Sequence, residues 1–180
     1  MLRAILGVCE EQCFNRDPYA KFDCKPRPPV SGYSENIMNT TTYMNTKLYK
    51  KVHNLATEML LAADEEDDQR FIDHYQALKT LCEEYQDKAE NHPVQWETLA
   101  DFTEDVTEAM GLYDKALTFA QSISANDYIA SISYAMALLF KEQEEKEQAV
   151  ESALQANQYA AKTEDEQLQR EIKQLLKSLR

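Results

Sequence analysis

The side chains with the greatest potential for chemistry are four cysteines, Cys9, Cys13, Cys24 and Cys82. They could form two disulfides or hold a zinc ion, but zinc sites usually bring two closely spaced C-x₂₋₄-C pairs. Only Cys9 and Cys13 are spaced in this way. Cys82 lies beside Leu81 in a stretch with helical periodicity, where a free thiol behaves as a small apolar group. The spacing therefore predicts neither a metal site nor a disulfide.

Histidines and carboxylates give no catalytic pattern either. None of His53, His74 and His92 belongs to an H-E-x-x-H motif or follows a glutamate by three residues, as in helical di-iron proteins. We expect each of them at a surface or half-buried helical position. The acidic run 64–68 lacks the glycine and the glutamate that an EF-hand loop requires. We predict no catalytic residue, no metal and no cofactor.

The charge of the chain narrows the class of partner. The formal net charge is −13 at pH 7, and residues 1–45 carry as many acidic as basic residues, so the acidic excess lies beyond them. Such a surface repels phosphate backbones and anionic lipid head groups. We therefore expect no binding to nucleic acid or membrane.

The sequence has no run of 18 apolar residues that could span a bilayer. Its first eight residues, followed by Cys9, have a short apolar stretch like that of a lipoprotein signal. That stretch is shorter than a secretion signal needs, and Val8 is too large for the position before a cleaved cysteine. We expect a cytoplasmic protein.

The chain divides at about residue 45. Four of the five prolines and two of the three glycines precede this point, and no long apolar periodicity does. We predict that residues 1–45 form a flexible tail, or that translation starts later, at Met38 or Met44, so that residues 1–37 are absent from the cell. Residues 46–180 form the folded domain.

From residue 46 onward apolar side chains recur at steps of three and four, which predicts an all-α domain of seven helices in antiparallel hairpins. The third helix should run from Trp96 to Met110 and end at Gly111. Asn126 or Asp127 should cap the fifth. The seven apolar stripes are Leu48–Leu60, Phe71–Tyr85, Trp96–Met110, Tyr113–Ile123, Ile129–Phe140, Ala149–Ala156 and Leu168–Leu179.

Two of these hairpins carry a recognisable pattern. The stretch from Gly111 to Ala120 has a glycine, an aromatic residue two positions later and a small residue at Ala116, and Ala149 follows Ala116 by 33 residues. Residues 94–161 thus resemble the tetratricopeptide repeat (TPR) family, with its 34-residue period. Residues 46–92 resemble it only loosely. The small residues let two helices approach closely.

The resemblance implies a short right-handed superhelix of stacked hairpins, closed by a C-terminal capping helix that begins at a Thr163/Glu166 capping box. It also implies a concave groove, lined by the first helix of each repeat, that holds a peptide or helix of a partner. We expect an acidic ridge on the third helix and two apolar anchors with a lysine on the fifth. The groove residues are Glu97, Asp101, Asp105, Glu108, Tyr134, Leu138 and Lys141. Alternatives are that the acidic row is only solvated surface and that Tyr134 and Leu138 belong to the core.

These features favour a protein–protein adaptor, monomeric or weakly dimeric, that binds a basic or amphipathic segment. TPR proteins that clamp a terminal carboxylate are disfavoured, because aspartates stand where lysine and asparagine would be needed. Two alternatives stay open. One is a small acidic TPR-type secretion chaperone, and the other is a self-associating structural protein.

Overall fold

The computed structural model describes residues 46–180, and this part of the chain contains only helices and the turns between them. The all-α prediction is confirmed for these residues. The predicted tail, with its three cysteines and both candidate start sites, lies outside the described residues. The seven helices are α1 (Thr46–Asp64), α2 (Asp68–Tyr85), α3 (Pro93–Asp101), α4 (Val106–Ser122), α5 (Asn126–Glu142), α6 (Lys146–Ala160) and α7 (Glu166–Ser178).

Three of the turns share one backbone design. Glu66, Ser124 and Glu144 have φ values of 57°, 54° and 60°, in the left-handed region. In each turn the next amide donates to a carbonyl five residues earlier, over 2.8 to 2.9 Å. This is the Schellman motif that ends helices, here without its usual glycine. The left-handed residue reverses the chain between α1 and α2, α4 and α5, and α5 and α6.

The third predicted helix is in fact two helices. α3 ends at Asp101, and α4 begins at Val106 behind Asp105, whose carboxylate accepts a hydrogen bond from the Glu108 amide at 2.8 Å. The predicted stop at Gly111 is wrong, since this glycine lies inside α4 with nothing near its missing Cβ. The apolar stripe continues across the break because both helices bury it in one core, so periodicity alone conceals the turn.

Two predicted helix caps are also wrong. Asp165 caps α7 by accepting from the Leu168 amide at 2.9 Å, so Glu166 is the first helical residue and forms no capping box with Thr163. α5 begins behind Ala125 without any side-chain cap, and neither of its first two residues serves as one. The Schellman turn before α5 fixes its start through backbone bonds instead.

The first helices of successive hairpins lie parallel to one another. The ring of His92, at the start of α3, meets that of Tyr128, at the start of α5, with centroids 4.9 Å apart. At the other end Lys141 of α5 donates to the Ser178 hydroxyl of α7 at 3.2 Å. α1 also packs against α3. The helices α1, α3, α5 and α7 therefore each contact the next in this order, and α3, α5 and α7 run in one direction.

The helices α2 and α4 are connected in the same sense. Lys79 pairs with Glu108 at 2.8 Å. Seven residues further along each segment, Gln86, the C-cap of α2, accepts from Lys115 at 3.1 Å. Both contacts join residues 29 positions apart, so the two helices run in one direction. The α1–α2 hairpin is thus stacked on the α3–α4 hairpin.

The buried positions repeat with a longer period than predicted. In α4 and α6 they recur 40 residues apart, and in α3 and α5 they recur 37 apart, as Trp96 and Ser133 do. Ala116 and Ala149, 33 residues apart, are both buried, but Ala149 occupies the position in α6 that Ala109 occupies in α4. The matched pairs of α4 and α6 are Ala109/Ala149, Tyr113/Ala153, Ala116/Ala156 and Ala120/Ala160.

The buried face of α6 consists of alanine alone, and each of these alanines is at most 1% exposed. They pack in a cluster with α5 and with the apolar face of α7. The burial expected of the small residues Ala116 and Ala149 is confirmed. α7 covers this end with Leu168, Ile172 and Leu175, as expected of a terminal helix, and its opposite face is polar and exposed.

The left-handed turns predict a stabilising substitution. Ser124→Gly and Glu144→Gly should each raise the free energy of unfolding by about 0.5–1 kcal/mol, because glycine adopts a positive φ without steric cost. Glu142→Gly, two residues earlier in helical conformation, should lower it. Urea denaturation followed by circular dichroism measures all three. Equal destabilisation by all three would contradict the assigned turn geometry.

Candidate functional site

The predicted acidic ridge is not one row on one helix. Glu97 and Asp101 lie on α3, whereas Asp105 is the N-cap of α4 and Glu108 belongs to the first turn of α4. The helical spacing from which the ridge was derived is interrupted by the turn at residues 102–105. The prediction of a continuous acidic ridge is therefore wrong, and Glu97 and Asp101 are the two members that share a helix.

Several of these carboxylates have structural partners. Asp101 accepts a hydrogen bond from the Tyr113 hydroxyl at 2.6 Å, which joins α3 to α4. Glu108 pairs with Lys79, and this hydrogen bond raises the pKa of Lys79 above its ordinary value. Lys79 is partly exposed, so the pair is screened by water and contributes little to stability. Part of the predicted site thus serves to join the hairpins.

The predicted anchors on α5 are also used inside the protein. Tyr134 is 7% exposed and belongs to the cluster between α5, α6 and α7, and Leu138 packs against that cluster. The expectation that Tyr134 is an open anchor is wrong, because α7 lies along this side of α5. Lys141 is exposed at the end of the helix. It contacts Ser178 of α7.

Cys82 is fully buried in α2, as a small apolar group would be. Its thiol lies 3.2 Å from the Gln95 carbonyl oxygen, to which it donates. Burial raises the pKa of Cys82 to about 12, so the thiolate that would act as a nucleophile does not form near neutral pH. The expectation that Cys82 is part of the core is confirmed.

The acidic run between α1 and α2 is closed by an arginine. Arg70 donates to Glu65 at 2.7 Å and also pairs with Glu58 on α1. The hydrogen bond from Arg70 lowers the pKa of Glu58, and burial opposes this shift only in part. The cluster joins the end of α1 to the start of α2, across a turn whose other charged residues are all acidic.

A shallow groove of about 430 Å³ opens beside α4. It was not predicted from the sequence. Its floor includes Trp96, which is 3% exposed and donates from Nε1 to Asn91 at 2.9 Å. The ammonium of Lys115 lies 3.4 Å from the centre of the Trp96 ring, a cation–π contact. Phe119 lines the same groove. The groove depends on packing between α3 and α4, which no local pattern reveals.

His92 differs from the predicted surface or half-buried helical position, since it is 4% exposed and precedes α3. Its Nδ1 accepts a hydrogen bond from the Val94 amide at 3.3 Å, so the neutral ring caps the helix. Its edge meets the ring of Tyr128. Burial lowers the pKa of His92 to about 4. Protonation would remove the cap and place a charge at the positive end of α3.

Among residues 46–180, no three His, Cys, Asp or Glu side chains are grouped as metal ligands. The helices from residue 46 onward are each too short or too polar to cross a membrane.

No family model, curated protein or solved structure matches the chain.

His92 predicts a pH dependence of stability. Because the pKa of His92 is about 4 in the folded chain and near 6.5 in the unfolded chain, the unfolded state binds the proton first as the pH falls. The contribution of neutral His92 to the free energy of unfolding is fully present above about pH 6.5. It is lost progressively as the pH falls to about 4, by up to about 3 kcal/mol.

The variant His92→Asn keeps a capping side chain but cannot titrate, so its loss of stability between pH 6.5 and 4.5 should be smaller than that of the wild type. His53→Asn, at a half-buried position of α1, serves as the control and should leave the wild-type slope unchanged. Urea titrations at each pH give the comparison. Identical slopes for the wild type and His92→Asn would refute the assigned role.

Proposed function

We propose that the chain is a protein-binding module, a non-enzymatic cytoplasmic adaptor that holds a basic or amphipathic segment of a partner protein. Its hairpins stack as a short TPR-like right-handed superhelix, with α7 as the terminal cap. The partner lies on the side formed by α1, α3, α5 and α7. The adaptor is a monomer or a weak homodimer.

The observation that carries this proposal is the parallel succession of α3, α5 and α7, indicated by the contacts of His92 with Tyr128 and of Lys141 with Ser178. Helical repeats stacked in this way present an extended surface made of equivalent helix faces. Such a surface suits a chain segment that lies across several helices.

Within this surface, α3 offers the best binding face. Val94, Glu97, Thr98 and Asp101 are all partly exposed and follow one another at helical spacing, so they lie on one side of the helix. We call these four residues the α3 face. The two carboxylates favour a basic partner, in keeping with the net charge of −13. Tyr134 and Leu138 contribute packing beneath this surface rather than open anchors.

A matched pair of double variants tests the α3 face. Glu97→Lys with Thr98→Arg reverses its charge and leaves the Asp101–Tyr113 hydrogen bond intact. Thr80→Arg with Glu83→Lys makes the same changes at exposed positions of α2. Each full-length protein is immobilised, and proteins captured from the source cells are quantified by mass spectrometry. Circular dichroism verifies that both variants are folded.

We expect one basic or amphipathic polypeptide at near-stoichiometric yield, captured by the wild type and the α2 variant and reduced about tenfold or more by the α3 variant. Equal capture by both variants would exclude the α3 face. Capture of no protein, together with a concentration-dependent dimer in sedimentation, would replace the adaptor with self-association. Capture of a single exported polypeptide would instead favour a secretion chaperone.

A further inference from the structure

Polar groups are buried in the contact between α2 and α3. Gln95 is fully buried, and its Nε2 donates to the Cys82 carbonyl at 3.4 Å, while Cys82 Sγ donates to the Gln95 carbonyl at 3.2 Å. Thr103 is 4% exposed and donates to the Leu99 carbonyl at 2.7 Å. The Tyr75 hydroxyl must therefore donate to Thr103, over 2.9 Å. We call Tyr75, Cys82, Gln95 and Thr103 the polar seam.

The polar seam is incompletely satisfied. Among the described residues, the side-chain oxygen Oε1 of Gln95 has no hydrogen-bond partner although it is buried. Its amide nitrogen makes one bond near the upper limit of hydrogen-bond distance, and the thiol is a weak donor. A buried polar atom without a partner favours any state in which water can reach it.

The other end of the domain has a mainly apolar core, although Ser133 on α5 and Glu171 on α7 also have a buried side-chain oxygen without a partner among the described residues. The cluster shared by α5, α6 and α7 contains only Ala, Leu, Ile and one tyrosine among its buried members. At the seam end, the flanking Lys79–Glu108 pair is partly exposed and adds little. Among the described helices, α1 and α2 are held mainly through α3, so this hairpin forms one end of the array. An end unit of a linear array can separate without disturbing the units beyond its neighbour.

We infer that the α1–α2 hairpin opens away from α3 along the polar seam as one cooperative unit, while α4–α7 stay folded. Opening hydrates the Gln95 amide and uncovers the side of α3 on which Gln95 lies. The hinge lies at residues 86–92, where no helix continues from α2 to α3. The array therefore has a second state in which α3 is accessible from both sides.

Cys82 reports this opening directly. Its thiol is buried at the seam, so an alkylating reagent reaches it only when the seam opens. The full-length protein is incubated with iodoacetamide at a series of urea concentrations. Labelling of the tryptic peptide Thr80–Lys88, which contains Cys82, is quantified by mass spectrometry, so the cysteines outside the described residues do not interfere. Global unfolding is measured separately by circular dichroism.

Without urea, Cys82 should react about tenfold or more faster than global unfolding allows, with a weaker dependence on urea, as expected for partial opening. Hydrogen exchange should show faster opening of α1 and α2 than of α5 and α6. A labelling rate equal to the one calculated from global unfolding, at every urea concentration, would overturn the inference.

Two further variants separate the seam from general stability. Gln95→Met replaces the incompletely bonded amide with an apolar chain of similar length and should slow Cys82 labelling about fivefold or more relative to global unfolding. Ser133→Ala removes another buried hydroxyl, one with no partner among the described residues, on α5 and outside the polar seam. It should leave that ratio unchanged. Equal effects of the two variants would show that the seam has no special role.

Discussion

Close approach of helices through alanine is the constraint on which this architecture depends. α6 has no large side chain on its buried face, and α4 buries Ala109, Ala116 and Ala120 in the same way. Two helix axes come within about 8 Å only where the contacting side chains are short. The long side chains of α5 and α7 then fill the space beside α6, so the α5–α6 hairpin and α7 share one apolar core. Without the alanines the row of parallel helices could not form.

The sequence predicts these features well because they depend on local periodicity. The all-helical fold and the burial of Ala116, Ala149 and Cys82 follow from apolar spacing, and the covering role of α7 was implied by the family resemblance. The turn at residues 102–105 could not be predicted in this way, since the apolar stripe of α3 continues into α4 without a break. The 40-residue spacing between buried positions of α4 and α6 depends on the lengths of α5 and its turns, which apolar spacing alone does not fix. Three left-handed turns lack glycine, so their backbone conformation left no signal although the gaps between apolar stripes marked their places.

The candidate site illustrates the limit of reasoning from one helix at a time. Helical spacing identified Glu97 and Asp101, which do share a face, and it added Asp105 and Glu108, which belong to the next helix. The spacing of Tyr134 within α5 does not distinguish an exposed position from one that a later helix covers. In the structure Tyr134 packs in one cluster with α7. The groove over Trp96 and the burial of His92 arise from contacts between different helices. Such contacts become visible only when the helices are assembled.

The most direct test of this account replaces an alanine of α6 with a longer side chain. Ala153→Leu should lower the free energy of unfolding by about 1–3 kcal/mol, because the core at α5 and α7 has no room for the added atoms. Ala77→Leu makes the same change at an exposed position within α2 and should alter stability by less than about 0.5 kcal/mol. Urea denaturation of the full-length proteins gives both values. If α6 accepts leucine as readily as α2 does, close packing through alanine does not hold this domain together.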